Sequence, residues 1–303
     1  MGPTIATLSE SSVRTGFTTH NWRCVARFGT LRALHTEYAM PLEWLLFLAL
    51  GVVAGVLAGL LGVGGGLVLV ASLAWLLPQL GIPEQFAMQA ALASSLASIV
   101  LTAAASARAH ARRGAVLWPT AAWMVPGLLL GGALGSGIAV QIPGDVLRAG
   151  VAVYCLLAAA QLTFAKSRAV ASDVVPRGPL MTVAGAVIGM VSALVGIGGG
   201  SMTVPLLVAR GVAPVRAVGT SSACGVAIGL GSALGYMLHR PPGGLAEYAV
   251  GYVYLPAALG VAAASVLAAP WGTRLAHRIS GPQLKRVFAL FLVAVAASLV
   301  VTR

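Results

Sequence analysis

Two apolar runs in this chain are too long to cross a bilayer once, and each is interrupted by a cluster of glycines. The first covers about residues 41–77 and contains Gly62-Val63-Gly64-Gly65-Gly66; the second covers about residues 179–208 and contains Gly196-Ile197-Gly198-Gly199-Gly200. As one helix the first run would measure about 55 Å at 1.5 Å per residue, against a hydrocarbon core of about 30 Å. The chain must turn back there, or stop and restart. Glycine holds helical geometry more weakly than any residue except proline, so the clusters mark the breaks. Broken backbone within a bilayer survives only where protein or a watery cavity satisfies it. A pair of such breaks in matching places of two halves is the best sequence-level pointer to a transport site.

Composition agrees with a membrane setting. The 303 residues are 58% hydrophobic and only 9% charged, with a mean hydropathy of +0.93, whereas a soluble domain carries about 25% charge. The expected fold is an all-α polytopic membrane protein, its partner the lipid bilayer. Abundant Gly and Ala suit helices that approach closely in lipid. The net charge of +12 does not point to nucleic acid: nearly all Lys and Arg lie in the tail or in short loops between apolar runs, where positive charge marks the cytoplasmic side. Cys24, Cys155 and Cys224 form no CxxC and no metal spacing, so neither a disulfide framework, a metal nor another cofactor is expected.

Residues 1–40 form a polar basic tail with Arg14, Arg23, Arg27 and Arg32. No apolar core follows a basic start, so it does not read as a secretory signal. It reads as a disordered tail, or as an over-long start ahead of Met40. Apolar segments follow at about 42–61, 66–78, 86–107, 115–140, 146–165, 180–195, 201–210, 216–238, 248–269 and 284–301. Trp75, Trp118, Trp123, Tyr248, Tyr252, Tyr254 and Trp271 cluster toward segment ends as interfacial anchors would.

The two halves repeat. GLLGVGGGLVLV from Gly59 matches ALVGIGGGSMTV from Ala193; ALASSLASIV from Ala91 matches VGTSSACGVAI from Val218, which sets Ser94-Ser95 against Ser221-Ser222. Pro119 answers Pro256 and Gly135 answers Gly272. The expected organisation is a first transmembrane repeat at 41–166, a cytoplasmic linker at 167–179 and a second repeat at 180–303. If each glycine break is a hairpin, the halves are inverted and every basic loop beyond the tail falls on one side, with both termini on the other. If each break only interrupts one span, the halves are parallel and the loops at 210–216 and 271–286 fall on the wrong side. The charge rule favours the inverted arrangement.

The GVGGG and GIGGG signatures, the Ser/Thr-rich second helix in each half and the internal duplication resemble the sulfite exporter TauE/SafE family, over about residues 42–301. The resemblance implies a bacterial inner-membrane transporter of sulfur oxyanions or organosulfur compounds with about eight transmembrane helices. Eight would leave 66–78, 201–210 or both re-entrant. The first half departs from the second at Leu69 and Ala71, where the second carries Thr203 and Pro205, which puts equal roles for the two halves in doubt.

Three groups of residues are candidates for chemistry. The helix starts after the breaks, Gly64-Gly65-Gly66 and Gly198-Gly199-Gly200, would offer unpaired N–H groups and about half a positive charge to an anion, without any charged side chain. They could equally serve only tight turning and close packing. The hydroxyls of Ser94, Ser95 and Ser98, of Thr220, Ser221 and Ser222, and of Ser201 and Thr203 would donate to anionic oxygens, or else bond their own backbone and glue helices. Arg108, His110, Arg112 and Arg113, with His239 and Arg240, read as positive-inside charge or as a vestibule that attracts anions.

All seven acidic residues lie in the tail or near segment ends. Proton and sodium relays use intramembrane carboxylates, so coupling through a buried acid is not expected. The leading reading is a secondary transporter of a small anion, such as sulfite, another sulfur oxyanion or an organic sulfonate or carboxylate. An anion channel is the alternative. A more remote one is an intramembrane serine protease using Ser232 of Gly229-Leu230-Gly231-Ser232, for which His239 and His277 are poor partners. Association into a homo-oligomer stays open.

Overall fold

The structure, a computed structural model, describes residues 43–59, 65–164, 175–276 and 281–301. The tail 1–40, Gly62 to Gly64 of the first glycine motif, and residues 167–174 of the expected linker lie outside the described residues. The chain divides into a short N-terminal unit ending at Glu43 and one compact unit from Trp44 onward.

The described helices are α1 (Glu43–Gly59), α2 (Gly66–Gln79), α3 (Glu84–Ala111), α4 (Trp118–Ala139), α5 (Gly144–Phe164), α6 (Pro179–Val195), α7 (Gly200–Ala209), α8 (Pro214–Leu238), α9 (Leu255–Ala276) and α10 (Gly281–Val301). Among the described residues five helices are long and apolar enough to cross a membrane: α3, α4, α5, α8 and α9. The fold is all-α apart from a two-residue antiparallel hairpin, β1 (Ala249–Val250) with β2 (Val253–Tyr254).

That hairpin corrects the expectation of a helix over 248–269, which instead begins at Leu255. Gly251 at φ 59° takes the first central position of a two-residue turn, which needs glycine there, and the β-branched and aromatic residues around it favour extended backbone. It also corrects two interfacial anchors. Tyr252 and Tyr254 are buried, while Trp75, Trp118, Trp123, Tyr248 and Trp271 stand exposed.

Close packing fixes the directions of the helices. A Cβ on Gly127, Gly131 or Gly135 of α4 would fall within 2.6 Å of the carbonyl oxygen of Thr182, Ala186 or Met190 on α6. The numbers rise together, so α4 and α6 run parallel, backbone against backbone. Likewise Gly51 and Gly55 of α1 meet Val261 and Ser265 of α9. The two crossings correspond: Gly185 of α6 meets Met124 and Gly189 meets Leu128, at the places where the repeat sets them against Gly51 and Gly55. By contrast α3 and α8, equivalent in the repeat, run antiparallel, for Ser106 meets Ser222, Ala103 faces Gly225 and Leu96 faces Gly229. Antiparallel pairing of equivalent helices is what inverted halves produce.

One end of the molecule therefore gathers the C-terminus of α3, the N-terminus of α8 and the last turn of α9. It carries Arg108, Arg112, Arg113, Arg177, Arg210, Arg216 and Arg274, and among the described residues no Asp or Glu. The opposite end carries Glu84, Asp145 and Glu247 beside Arg148, His239 and Arg240. α6 starts at the basic end and α7 returns to it; α1 starts at the opposite end and α2 returns there. Gly65 packs on the Ala54 carbonyl of α1, and Gly199 approaches Ile188 of α6, positions that correspond in the repeat. α2 thus runs opposite to α1, and α7 opposite to α6. At about 21 and 15 Å, α2 and α7 are shorter than the hydrocarbon core.

The small-residue crossings make a prediction. Gly131→Ala puts a methyl 2.0 Å from the Ala186 carbonyl oxygen and is expected to lower the melting temperature of the detergent-purified protein by several degrees, an overpacking cost of about 1–3 kcal/mol. Gly150→Ala, with nothing within 4 Å of the new methyl, is expected to leave it unchanged or raise it. Equal melting of the two variants would contradict the crossing.

Candidate functional site

The two glycine breaks meet. A Cβ built on Gly66 would lie 2.2 Å from the carbonyl oxygen of Gly196, and one on Gly196 would strike Val70 of α2. Only residues without a side chain let the start of α2 and the end of α6 touch. Gly196 closes α6 in the left-handed conformation at φ 77°, and Gly65 and Gly199 open α2 and α7 in the same conformation at φ 66° and 76°. The Ser95 hydroxyl donates to the carbonyls of Gly66 at 3.2 Å and Gly196 at 3.4 Å. It ties the break of one half to that of the other, where no water is at hand to satisfy these carbonyls.

Beside this crossing lies a small crevice with room for about one water, lined by Ala58, Ile99, Thr102, Ala103, Ser106, Gly198, Ser222 and Gly225. Its polar groups are hydroxyls and the backbone of Gly198; none of the lining side chains is charged. Ser106 and Ser222 bond each other at 3.1 Å across the α3–α8 interface, and Thr102 bonds Ser265 of α9. Toward the opposite end from the arginines, Tyr252 packs edge-on between Phe86 and Tyr236, with ring centroids 5.8 and 6.5 Å away. The buried Tyr236 hydroxyl donates to the Ala193 carbonyl at 3.0 Å. Aromatic packing closes that end, while the hydroxyl-bearing face of α3 continues through Ser106 toward His110 and the arginines.

The predicted residues divide between joints and open groups. Ser94 accepts the Tyr254 N–H at 3.0 Å, and Thr220 accepts the Leu117 N–H at 2.9 Å. Each therefore holds the residue just before a following helix, α9 or α4. These two bonds are equivalent, which corrects the alignment by one residue: Ser94 answers Thr220, and Ser95 answers Ser221. Ser201 bonds the Tyr154 hydroxyl at 2.6 Å. Ser222 lines the crevice and also donates to the Val218 carbonyl. Gly198 lines the crevice, and Gly199 and Gly200 are buried beside it. Thr203 and Ser221 are buried, and their hydroxyls have no partner. Gly64 lies outside the described residues.

Sequence reasoning passed over Thr102, Ser106 and Ser265. Ser98, Thr102 and Ser106 recur every fourth residue, one face of a helix, and that spacing could have found the first two; Ser265 carries no such signal. Ser232 and His239 form no catalytic pair: the Ser232 hydroxyl has no partner, and His239 Nδ1 bonds the Gly235 carbonyl at 2.7 Å. Among the described residues no three His, Cys, Asp or Glu gather as metal ligands would.

Residues 47–299 match the family model described as Sulfite exporter TauE/SafE. A probable membrane transporter protein of Haemophilus influenzae is 36% identical over 264 residues, covering 84% of this chain and 97% of that one. Probable membrane transporter proteins of Xylella fastidiosa and Methanocaldococcus jannaschii are 31% and 26% identical, each over 81% of this chain and 90% and 92% of their own. No solved structure matches the chain.

The shared hydroxyl at the crossing is testable. Ser95→Ala removes the one hydroxyl that touches both glycine carbonyls, worth about 1–3 kcal/mol where the buried Gly196 carbonyl loses its donor, and is expected to lower the melting temperature. Ser98→Ala removes only a bond to the Ser95 carbonyl within the same helix, so it should melt close to wild type. The reverse order would mean that the bridge does not hold the breaks together.

Proposed function

The chain belongs to the sulfite exporter TauE/SafE family, and from that premise we propose that this multi-pass membrane transporter moves a small anion, sulfite or a related sulfur oxyanion, sulfonate or carboxylate, across the bacterial inner membrane by alternating access. The observation that supports this most is the meeting of two interrupted helices beside a hydroxyl-lined, uncharged crevice inside the bundle. Helix starts favour anions through their free N–H groups and their dipole. In a low-dielectric interior a fixed arginine would hold an anion too tightly for release, and neutral donors avoid that trap.

By the positive-inside rule the arginine end faces the cytoplasm. The tyrosine-packed end then faces outward, and its aromatic packing supports reading this as a form closed outward, with its polar face directed to the cytoplasm. The arginines raise the local anion concentration there. No Asp or Glu stands mid-helix among the described residues. The cycle is accordingly a uniport, or its substrate carries its own proton.

Reconstituted vesicles test this. Sulfite uptake is expected to saturate, to be accelerated by unlabelled sulfite on the far side, and to keep its rate when potassium replaces sodium. Uptake that never saturates would favour the channel, and strict sodium dependence would remove the coupling scheme. In a variant lacking the native cysteines, Ser106→Cys is expected to react with a membrane-impermeant anionic thiol reagent from the cytoplasmic side only. Labelling from the outer side alone would reverse the orientation.

A further inference from the structure

The two helix starts share a skeleton but differ in what surrounds them. The repeat sets Gly66 against Gly200, Leu69 against Thr203 and, by the bonds to Tyr254 and Leu117, Ser95 against Ser221. At the start of α2 no side chain is left as an open donor. Gly66 is pressed on the Gly196 carbonyl and the Ile99 side chain, Ser95 bonds both glycine carbonyls, and Leu69 is buried and apolar.

At the start of α7 the same positions hold polar groups with nothing to bond. Thr203 is 0% exposed and Ser221 1%, and neither hydroxyl has a partner. Helical Thr and Ser ordinarily turn back on the carbonyl four residues earlier, as Thr102, Thr163, Thr220 and Ser222 do here. Thr203 does not. The carbonyl it would use, that of Gly199, already accepts the N–H groups of Thr203 at 2.8 Å and Met202 at 3.1 Å. The Thr203 hydroxyl instead lies 3.5 Å from the point where a Gly199 Cβ would stand, against the helix start. The N–H groups of Gly200 and Ser201 belong to the first turn, ahead of the intrahelical bonds. A buried hydroxyl without a partner is costly, and a ligand with acceptor oxygens would satisfy both hydroxyls and both amides.

Resting on the anion reading above, we infer that the chain binds one anion rather than two, at the start of α7 where the Thr203 hydroxyl has no partner, with the Ser221 hydroxyl of α8 as a further donor, and that the start of α2 is a structural joint. The site offers donors and no carboxylate. It therefore selects a small acceptor-only oxyanion over an amino-sulfonate, whose ammonium group finds no charged partner there.

Purified full-length protein is titrated with sulfite, sulfate, thiosulfate and taurine, following melting temperature and calorimetric stoichiometry. One of the three oxyanions is expected to bind at one site per chain, and more tightly than taurine. Thr203→Val and Ser221→Ala are expected to weaken it about ten- to hundredfold, the worth of a hydrogen bond to a charged group. Thr203→Val should also hold or raise the ligand-free melting temperature, because it removes an unpaired buried hydroxyl. Ser95→Ala should lower that temperature while affinity stays within about twofold, because its bonds are made to the backbone. Two sites per chain, wild-type affinity in both α7 and α8 variants, or taurine binding as tightly would overturn the single donor-only site while leaving anion binding intact. Failure of every oxyanion to bind wild-type protein would instead remove the anion reading itself.

Discussion

A peptide carbonyl in hydrocarbon has no water to turn to, and this one fact governs the architecture. A helix satisfies its own backbone everywhere except at its ends. Ending two helices within the bundle therefore creates groups that the protein alone must satisfy. The answer here is mutual: the break after α6 lies against the start of α2, and one hydroxyl on α3 serves a carbonyl from each. Neither interrupted helix could be placed without the other. The long helices α3 and α8 supply the hydroxyls because they pass the breaks on both sides.

The rest of the bundle makes that meeting possible by removing side chains. Lipid gives no hydrophobic reason for helices to associate, so contact must come from packing. The glycines of α4 bring its backbone onto α6, and those of α1 bring its backbone onto α9. These crossings lock each interrupted helix to a continuous partner from the other half. The pairs α1–α2 and α6–α7 are thereby held from outside as well as at their glycines. A rocking motion of one half against the other would have to slide along these crossings or pivot about the Ser95 joint.

Much of this was legible in the chain itself. Length against bilayer thickness required the breaks, glycine placed them, and loop charge favoured inverted halves; α3 and α8 do run antiparallel, and the arginines do gather at one end. What was not legible has physical reasons. The Ser94-Ser95 register slipped by one because two serines look alike in a sequence, whereas only Ser94 and Thr220 sit where a following helix begins. Tyr252 and Tyr254 resembled interfacial anchors because aromatic residues near a helix end serve either purpose; the hairpin turn at Gly251 points them inward. No periodicity distinguishes a hydroxyl that bonds its own helix from one left open, so Ser94 and Thr220 looked as promising as Thr203 and Ser221.

The two helices opened by glycine are alike in backbone and different in side chains. A symmetric pair of helix starts would present an anion with two similar places in an interior that can afford little uncompensated charge. The helix start left with open donors is the one carrying Thr203, where the other half buries Leu69. Two similar backbones thus meet at their glycines, while the buried hydroxyls without partners lie on α7 and α8.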